Sequence, residues 1–416
     1  MEGKPMSDDK LAQRKKQKIF FKNDDMDFDL LWALGYQTSG GSEVGECFHT
    51  ASIIRENDPE SWAKTWSDTA TRLEVHAGEA KAGGHAITAR SEYLRAFTYH
   101  KMASMGLRHS DSRLREEWSK GRACFRYAAG LMDKTVEAVE ISYRGGILPG
   151  YFMYGDKGSP TLIMFIGGEG WAEDGYFFIG HEGQERGYNI LAIEIQINQS
   201  TRLLNDNLLA WETIEDVEAT IKTVIDYAVS RSDVDRDRLA VIGFSGGGYF
   251  ALKAASIDQR IKACIPDSPI YDMYGILKSE LPGPLLNAPA FVTNSIVKLS
   301  SLNNSMSMID LEKFSWAVGV KSITEFMDAC KKLGKVDVEK IVCPILCLAS
   351  EGEGRSMLEQ AREVYDTVGS EKKLIHIFTA AEGADAHCQL NNLSLMNETV
   401  YDWLDEVFHV ERKTGR

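Results

Sequence analysis

From about residue 135 onward, short apolar runs recur along the chain with helical patterns between them. The runs are TLIMFI (161 to 166), NILAIEI (189 to 195), RLAVIGF (238 to 244), IKACIPD (261 to 267), VCPILCLA (342 to 349) and KLIHIF (373 to 378). Apolar strands separated by helices predict a parallel sheet buried on both faces. The strongest helix pattern is WETIEDVEATIKTVIDYAVSR, in which Trp211, Ile214, Val217, Ile221, Val224 and Ala228 recur at steps of three and four. Ahead of these runs TVEAVEISY alternates apolar and polar residues, Gly145-Gly146 offers a turn, and ILPGYFMYG returns, so a hairpin opens this region. The predicted fold class is α/β, with a mostly parallel, doubly wound sheet.

Residues 1 to about 134 carry no β-like run but several amphipathic segments. In SEYLRAFTYHKMASM, Tyr93, Leu94, Phe97 and Met105 share one helical face, and Trp62, Trp66 and Leu73 repeat that spacing. The expectation is an all-helical domain over 1–134, followed by a catalytic domain over 135–416. The interval from about 270 to 336 interrupts the alternation, carries Pro282, Pro284 and Pro289, and turns helical around Thr324 to Lys332. It is expected to be an insertion over the C-terminal edge of the sheet, where open α/β folds bind ligands.

Composition narrows the function. A net charge of −14 and a hydrophobic content of 44% describe a globular protein without the basic face of a nucleic-acid binder. The basic run Arg14-Lys15-Lys16-Gln17-Lys18, beside Ile19, Phe20 and Phe21, is the one candidate for contact with an anionic membrane. Asp8, Asp9, Asp24 and Asp25 flank it and argue against a stable membrane association or a transit peptide. No apolar run is long enough for a membrane span, and the expectation is a cytoplasmic protein. Seven cysteines without CxxC spacing suggest neither a disulfide framework nor a metal site, and Cys343 and Cys347 read as small hydrophobes in a strand.

The chemistry centres on LAVIGFSGGGY, residues 239 to 249. A serine among glycines is open to two readings, a nucleophile or a turn residue. A nucleophile elbow needs a strand, a sharp turn and a helix, with small residues two before and two after the serine. Gly243 and Gly247 meet that demand, and the flanking pattern supplies strand and helix, which favours Ser245 as nucleophile. Such a serine needs a base, and the base needs an acid, in the chain order serine, acid, histidine. His387 lies in EGADAHCQLNN beyond the last strand. For the acid, CPILCLASEGEGR offers Glu351 and Glu353; Glu353 is preferred because it lies further into the loop, and Asp267, after the strand following the elbow, stays open. The oxyanion requires two N–H donors. Gly246 is placed to give one, and Gly168 or Glu169, in FIGGEGWAEDGYFF, the other. Gly168-Glu169-Gly170 lacks the third glycine of a dinucleotide loop.

Together with SEYLRAFTYH and the hairpin, the loop GGEG, the elbow GFSGGGYFALKAA and the terminal GADAHCQ resemble one subgroup of the α/β-hydrolases. That subgroup holds bacterial 2,6-dihydroxypseudooxynicotine hydrolase and the fungal yellowish-green-type hydrolases, which shorten polyketides on the way to melanin or other secondary metabolites. The resemblance runs from about residue 60 onward. It implies an α/β-hydrolase fold with the N-terminal helices as a cap lining the pocket, and a homodimer. It also implies a triad of Ser245, Glu353 and His387, with no metal or organic cofactor. Two departures stand out: the acid is a glutamate where relatives usually carry aspartate, and Glu194-Ile195-Gln196-Ile197-Asn198-Gln199-Ser200 replaces a Pro-Gly-x-Gly loop.

The expected function is hydrolysis at a carbonyl of an aromatic or polyketide-like small molecule, at a carbon–carbon bond or at an ester or lactone. Two rivals use the same residues differently: an acyltransferase or cyclase, and a binding protein without catalysis.

Overall fold

The computed structural model describes residues 14–205, 213–280, 283–286, 288–300 and 305–410. Asp8, Asp9, Trp211 and Pro282 lie outside the described residues. Five helices come first: α1 (Asp24–Gly35), α2 (Val44–Ile53), α3 (Pro59–Ala82), α4 (Ala86–Met105) and α5 (Ser112–Ala129). Their starts follow from local chemistry. Asn23 accepts from the N–H groups of Asp25 and Met26, Asp58 caps α3 ahead of Pro59, and Asp111 caps α5.

The strands are β1 (Val136–Tyr143), β2 (Gly146–Met153), β3 (Thr161–Phe165), β4 (Asn189–Ile193), β5 (Leu239–Phe244), β6 (Ala263–Asp267), β7 (Ile345–Ser350) and β8 (Lys373–Phe378). They form one sheet in the order β1-β2-β4-β3-β5-β6-β7-β8. The β1–β2 hairpin pairs antiparallel with β4, and every later pairing is parallel. This is the predicted sheet, with strand ends shifted by a residue or a few.

Two apolar cores sandwich it. On one face Ile163, Phe165, Leu191 and Val241 pack with Val217, Ile221 and Val224 of the helix Ile214–Ser230. On the other, Leu162, Met164, Ile242 and Leu348 share a single core with Trp62, Trp66, Phe97 and Phe125. Because residues alternate faces along a strand, one continuous apolar run fills both cores. The aromatic residues of α3 to α5 therefore join directly onto the sheet.

Between β6 and β7 the described residues form Met273–Glu280, Gly283–Leu286, Ala290–Ser300, Ser305–Val318 and Ile323–Leu333. The sequence pattern points to the last of these and not to the earlier ones, among which Gly283–Leu286 is only 4 residues long and Pro289 precedes Ala290–Ser300. No helix among the described residues is long and apolar enough to cross a membrane.

Candidate active site

Ser245 follows β5 and precedes the helix Gly247–Ile257, and its φ of 53° lies in the left-handed region that side chains rarely adopt. The neighbouring glycines explain how the turn closes. A Cβ on Gly243 would stand 2.0 Å from the carbonyl oxygen of Gly247, and one on Gly247 would stand 2.2 Å from that of Phe165. Gly248 is equally confined, with the Ser268 carbonyl oxygen 1.9 Å from its added Cβ. Gly246 is different: nothing lies nearer its added Cβ than Met273 Cε at 3.5 Å. Crowding thus requires glycine on both sides of Ser245 but not directly after it.

His387 comes from the loop after β8, and its Nδ1 lies 2.5 Å from Glu353 Oε1 in the loop after β7. Glu353 is buried and accepts further bonds from Ser268 Oγ and, at 3.0 Å, from the Ser350 N–H. Burial pushes its carboxyl up, but the bonds from His387, Ser268 and Ser350 outweigh burial and hold it below the usual range. The other two acid candidates are engaged elsewhere. Glu351 pairs with Lys16. Asp267 ends β6, its carbonyl accepts from the Ser245 N–H, and its carboxyl takes a bond from Gln389 Nε2 at 3.2 Å. Burial, and then the nearby Glu353 charge, raise Asp267 well above the carboxylate range.

The loop after β3 meets the elbow. A Cβ on Gly167 would come within 3.3 Å of Ser245 Cβ, and one on Gly168 within 2.4 Å of Phe314 Cε1. Gly170 N–H closes a turn onto the Gly167 carbonyl at 3.1 Å, whereas among the described residues the N–H groups of Gly168 and Glu169 donate to no backbone carbonyl. The segment that departs from the Pro-Gly-x-Gly pattern braces this loop. Asn198 Nδ2 donates to the Gly167 carbonyl at 2.7 Å, and Glu194 accepts from the Ala172 N–H at 2.6 Å and from Ser200 and Thr201. Burial and the neighbouring Glu173 push Glu194 up to about 7, its bonds from Ser200 and Ala172 opposing them.

Ser245, His387, Gly168 and Glu169 line one cavity of about 90 Å³, walled by Phe28, Trp32, Phe178, Phe244 and Phe314. Phe28 and Trp32 belong to α1 and Phe314 to Ser305–Val318, so the first helix and the β6–β7 segment both reach the site. A larger open hollow of about 540 Å³, beside His109 and Trp316, includes none of Ser245, Glu353 or His387 in its lining. Glu74, His100 and Cys124 bring three ligand-type atoms within 4.8 Å, as do Glu353, His387 and Cys388. In the first group Nδ1 of His100 bonds Glu117 at 2.7 Å; burial opposes the charge on the ring, while the neighbouring Cys124, Glu117 and Glu74 raise its pKa to about 10. In the second, Nδ1 is already taken by Glu353.

Four residues were not assigned to the site from sequence: Ser268 and Ser350, which bond Glu353; Asn198; and Arg14, whose carbonyl accepts from the His387 N–H at 2.7 Å. Ser268 had one signal, its place beside Asp267 at a strand end next to the elbow. The basic run lies against carboxylates, Arg14 on Glu169, Lys15 on Asp27, Lys16 on Glu351 and Lys18 on Asp24.

A model of the prolyl oligopeptidase family matches residues 204–284, the stretch that contains the elbow. Over nearly its whole length the chain is similar to the α/β-hydrolase gkaG of Penicillium citrinum, 31% identical across 93% of this chain and 97% of that one. It is likewise similar to the 20-hydroxy-prefusarin hydrolase of Gibberella moniliformis, 28% identical across 94% and 98%. Among solved structures, 2,6-dihydroxy-pseudo-oxynicotine hydrolase shares the fold at a TM-score of 0.67 over 90% of this chain and 95% of that chain, with 19% identity. Sheet order and full-length similarity lead to the same place: the chain belongs to the α/β-hydrolase family and is a hydrolase.

Proposed function

We propose that this hydrolase cleaves a bond at a carbonyl of a polyketide-like or aromatic secondary metabolite through an acyl-serine, with Ser245, His387 and Glu353 as its triad. The observation that carries this reading is the 2.5 Å contact between His387 and Glu353, made beside a cavity that Ser245 lines from a left-handed turn. Ser245 Oγ attacks the carbonyl carbon while His387 Nε2 takes its proton. Glu353, on Nδ1, holds the ring in the required tautomer and stabilises the imidazolium. The N–H of Gly246 and that of Gly168 or Glu169 bind the oxygen as it becomes an alkoxide.

The alkoxide collapses by expelling the leaving group, which takes the proton from His387. An alkoxide leaves an ester directly, whereas a carbon leaves only as a stabilised anion such as an enolate. Water, deprotonated by His387, then attacks the acyl-serine and releases a carboxylic acid. We favour carbon–carbon cleavage of a β-diketone or aryl ketone, because the five aromatic rings around the cavity suit a flat conjugated substrate held in line. One relative supports the metabolite class, being named for hydrolysis of 20-hydroxy-prefusarin.

Matched β-diketone and ester analogues of one polyketide scaffold test the reading in oxygen-18 water. Label in the product carboxylate is expected, with diketone cleavage at least equal to ester cleavage. Robust ester turnover without diketone cleavage makes the carbon–carbon assignment wrong, and unlabelled acyl transfer to a hydroxyl of the substrate makes hydrolysis wrong.

A further inference from the structure

The chain between Arg14 and Phe21 lies against the loops that follow β7 and β8. The Arg14 carbonyl accepts from the His387 N–H, the Lys16 N–H donates to Asp385 Oδ2 at 3.1 Å, and Lys16 Nζ pairs with Glu351. Asp27 of α1 gathers the other end, accepting from Lys15 and from the N–H groups of Ile19, Phe20 and Phe21. These ties deliver the Arg14 side chain to the cavity that Ser245 and His387 line. There its guanidinium carbon lies 4.9 Å from the centre of the Phe28 ring, and Nη2 donates to Glu169 at 3.0 Å. The other terminal nitrogen, Nη1, is buried and has no hydrogen-bond partner among the described residues.

A buried charged donor left unpaired is unfavourable, and arginine cannot relieve it by losing its proton. The surrounding acids compensate only in part. Glu169 is ionised: burial raises its carboxyl, but Arg14, Lys313 and His387 together hold it below the usual range. Asp29 and Asp310 are both pushed up by burial, Asp310 to about 7, and are held toward their neutral forms. Lys313 adds a second cation beside Asp310 at 3.4 Å. The cavity therefore offers a fixed, planar cation with one free edge, the arrangement that binds an oxyanion.

We propose that Arg14 is a substrate-recognition residue, binding an anionic oxygen of the substrate through Nη1 and restricting the site to acidic substrates. Resting on the serine-hydrolase reading, this assigns the substrate a carboxylate close to the carbonyl under attack, or the enolate of a β-dicarbonyl, which takes a proton at its central carbon to give the diketone before the carbonyl is attacked. Glu169 sets the plane of the guanidinium from the loop that also carries the proposed oxyanion donors, so recognition and chemistry share one loop. A neutral substrate leaves Nη1 unpaired and forfeits that interaction.

Binding separates this proposal from catalysis. In the Ser245→Ala background, dissociation constants are measured by calorimetry for two matched pairs: 4-nitrophenyl hydrogen glutarate against 4-nitrophenyl pentanoate, and 1-phenylbutane-1,3-dione, at a pH above its own pKa, against its 2,2-dimethyl analogue, which cannot enolise. The anionic member of at least one pair should bind about 30-fold more tightly than its neutral partner, the scale of one hydrogen bond to a charged group. Which pair shows the preference distinguishes carboxylate from enolate. Adding Arg14→Gln should collapse the preference to less than about threefold, and Arg14→Lys, which keeps the charge and the backbone contact to His387, should restore part of it. The proposal is overturned if neither pair shows a preference, or if the preference survives Arg14→Gln. Failure of the serine reading is seen separately, as turnover by Ser245→Ala, and leaves the binding result readable.

Discussion

His387 Nδ1 and Glu353 Oε1 meet at 2.5 Å across 34 residues of chain, each at the tip of a loop that leaves the sheet's C-terminal edge. Because β7 and β8 are parallel neighbours, in register from Ile345 beside Lys373 to Ser350 beside Phe378, their following loops emerge side by side. The meeting of Glu353 and His387 is thus a consequence of sheet order. Ser268 and the Ser350 N–H complete the bonding of Glu353, so its carboxylate is held by three separate segments.

Replacing Ser245 with alanine should lower kcat by at least about 1,000-fold while leaving the melting temperature within a few degrees of the parent. A fluorophosphonate probe followed by peptide mass spectrometry should label Ser245 in the parent chain and nothing in the variant. Residual turnover above a few per cent would remove Ser245 from the nucleophile role.

Among the three carboxyl groups, Glu353→Gln should cost the most in kcat, about 1,000-fold, because glutamine cannot stabilise the imidazolium. Glu351→Gln, which loses only a partly exposed pair with Lys16, should stay within about threefold. Asp267→Asn replaces a carboxyl that burial already holds neutral, so its effect on kcat should be far smaller than that of Glu353→Gln. Steady-state kinetics on purified variants of matched stability ranks the three; a larger loss for Glu351→Gln or Asp267→Asn reassigns the acid.

The elbow glycines should separate cleanly. Gly247→Ala drives a methyl against the Phe165 carbonyl, a backbone atom that cannot yield, and should lower both melting temperature and kcat, the latter by about 100-fold. Gly246→Ala meets nothing nearer than Met273 Cε and keeps its N–H, so its melting temperature should stay close to the parent's. Equal destabilisation by both changes would contradict the crowding described for this turn.

Glu194 gives a prediction in pH. Its folded pKa, about 7, is above the value of an unfolded glutamate, so between roughly pH 4.5 and 7 the folded chain binds more protons than the unfolded one. Stability attributable to this group is therefore highest below that window and falls as pH rises through it. Glu194→Gln cannot ionise, and its advantage over the parent should grow between pH 5 and pH 8 by up to about 3 kcal/mol. Chemical denaturation at the two pH values measures it; a difference that shrinks with rising pH would show Glu194 to be ionised in the folded protein.

The sequence alone determined what depends on neighbours along the chain. Strand positions followed from continuous apolar runs, because a strand buried on both faces has no polar side to interrupt it. Ser245 was legible because an elbow is local: a strand, a glycine two before and two after, and a helix. The loop position of His387 followed from its place beyond the last strand.

The tertiary structure decided what depends on which loop tips come together. Glu351 and Glu353 lie two residues apart in one loop, and only the turn through Gly352 and Gly354 directs one toward Lys16 and the other toward His387. Asp267 was an acid beside the elbow in sequence, yet burial and a glutamine partner remove its charge. The basic run around Arg14 read from sequence as the one candidate for contact with an anionic membrane, because the partners of Arg14 and Lys16, Glu169 and Glu351, lie 155 and 335 residues away. Pairing of that kind is fixed by how residues 14–21 lie against the loops at the finished sheet edge, which no local periodicity encodes.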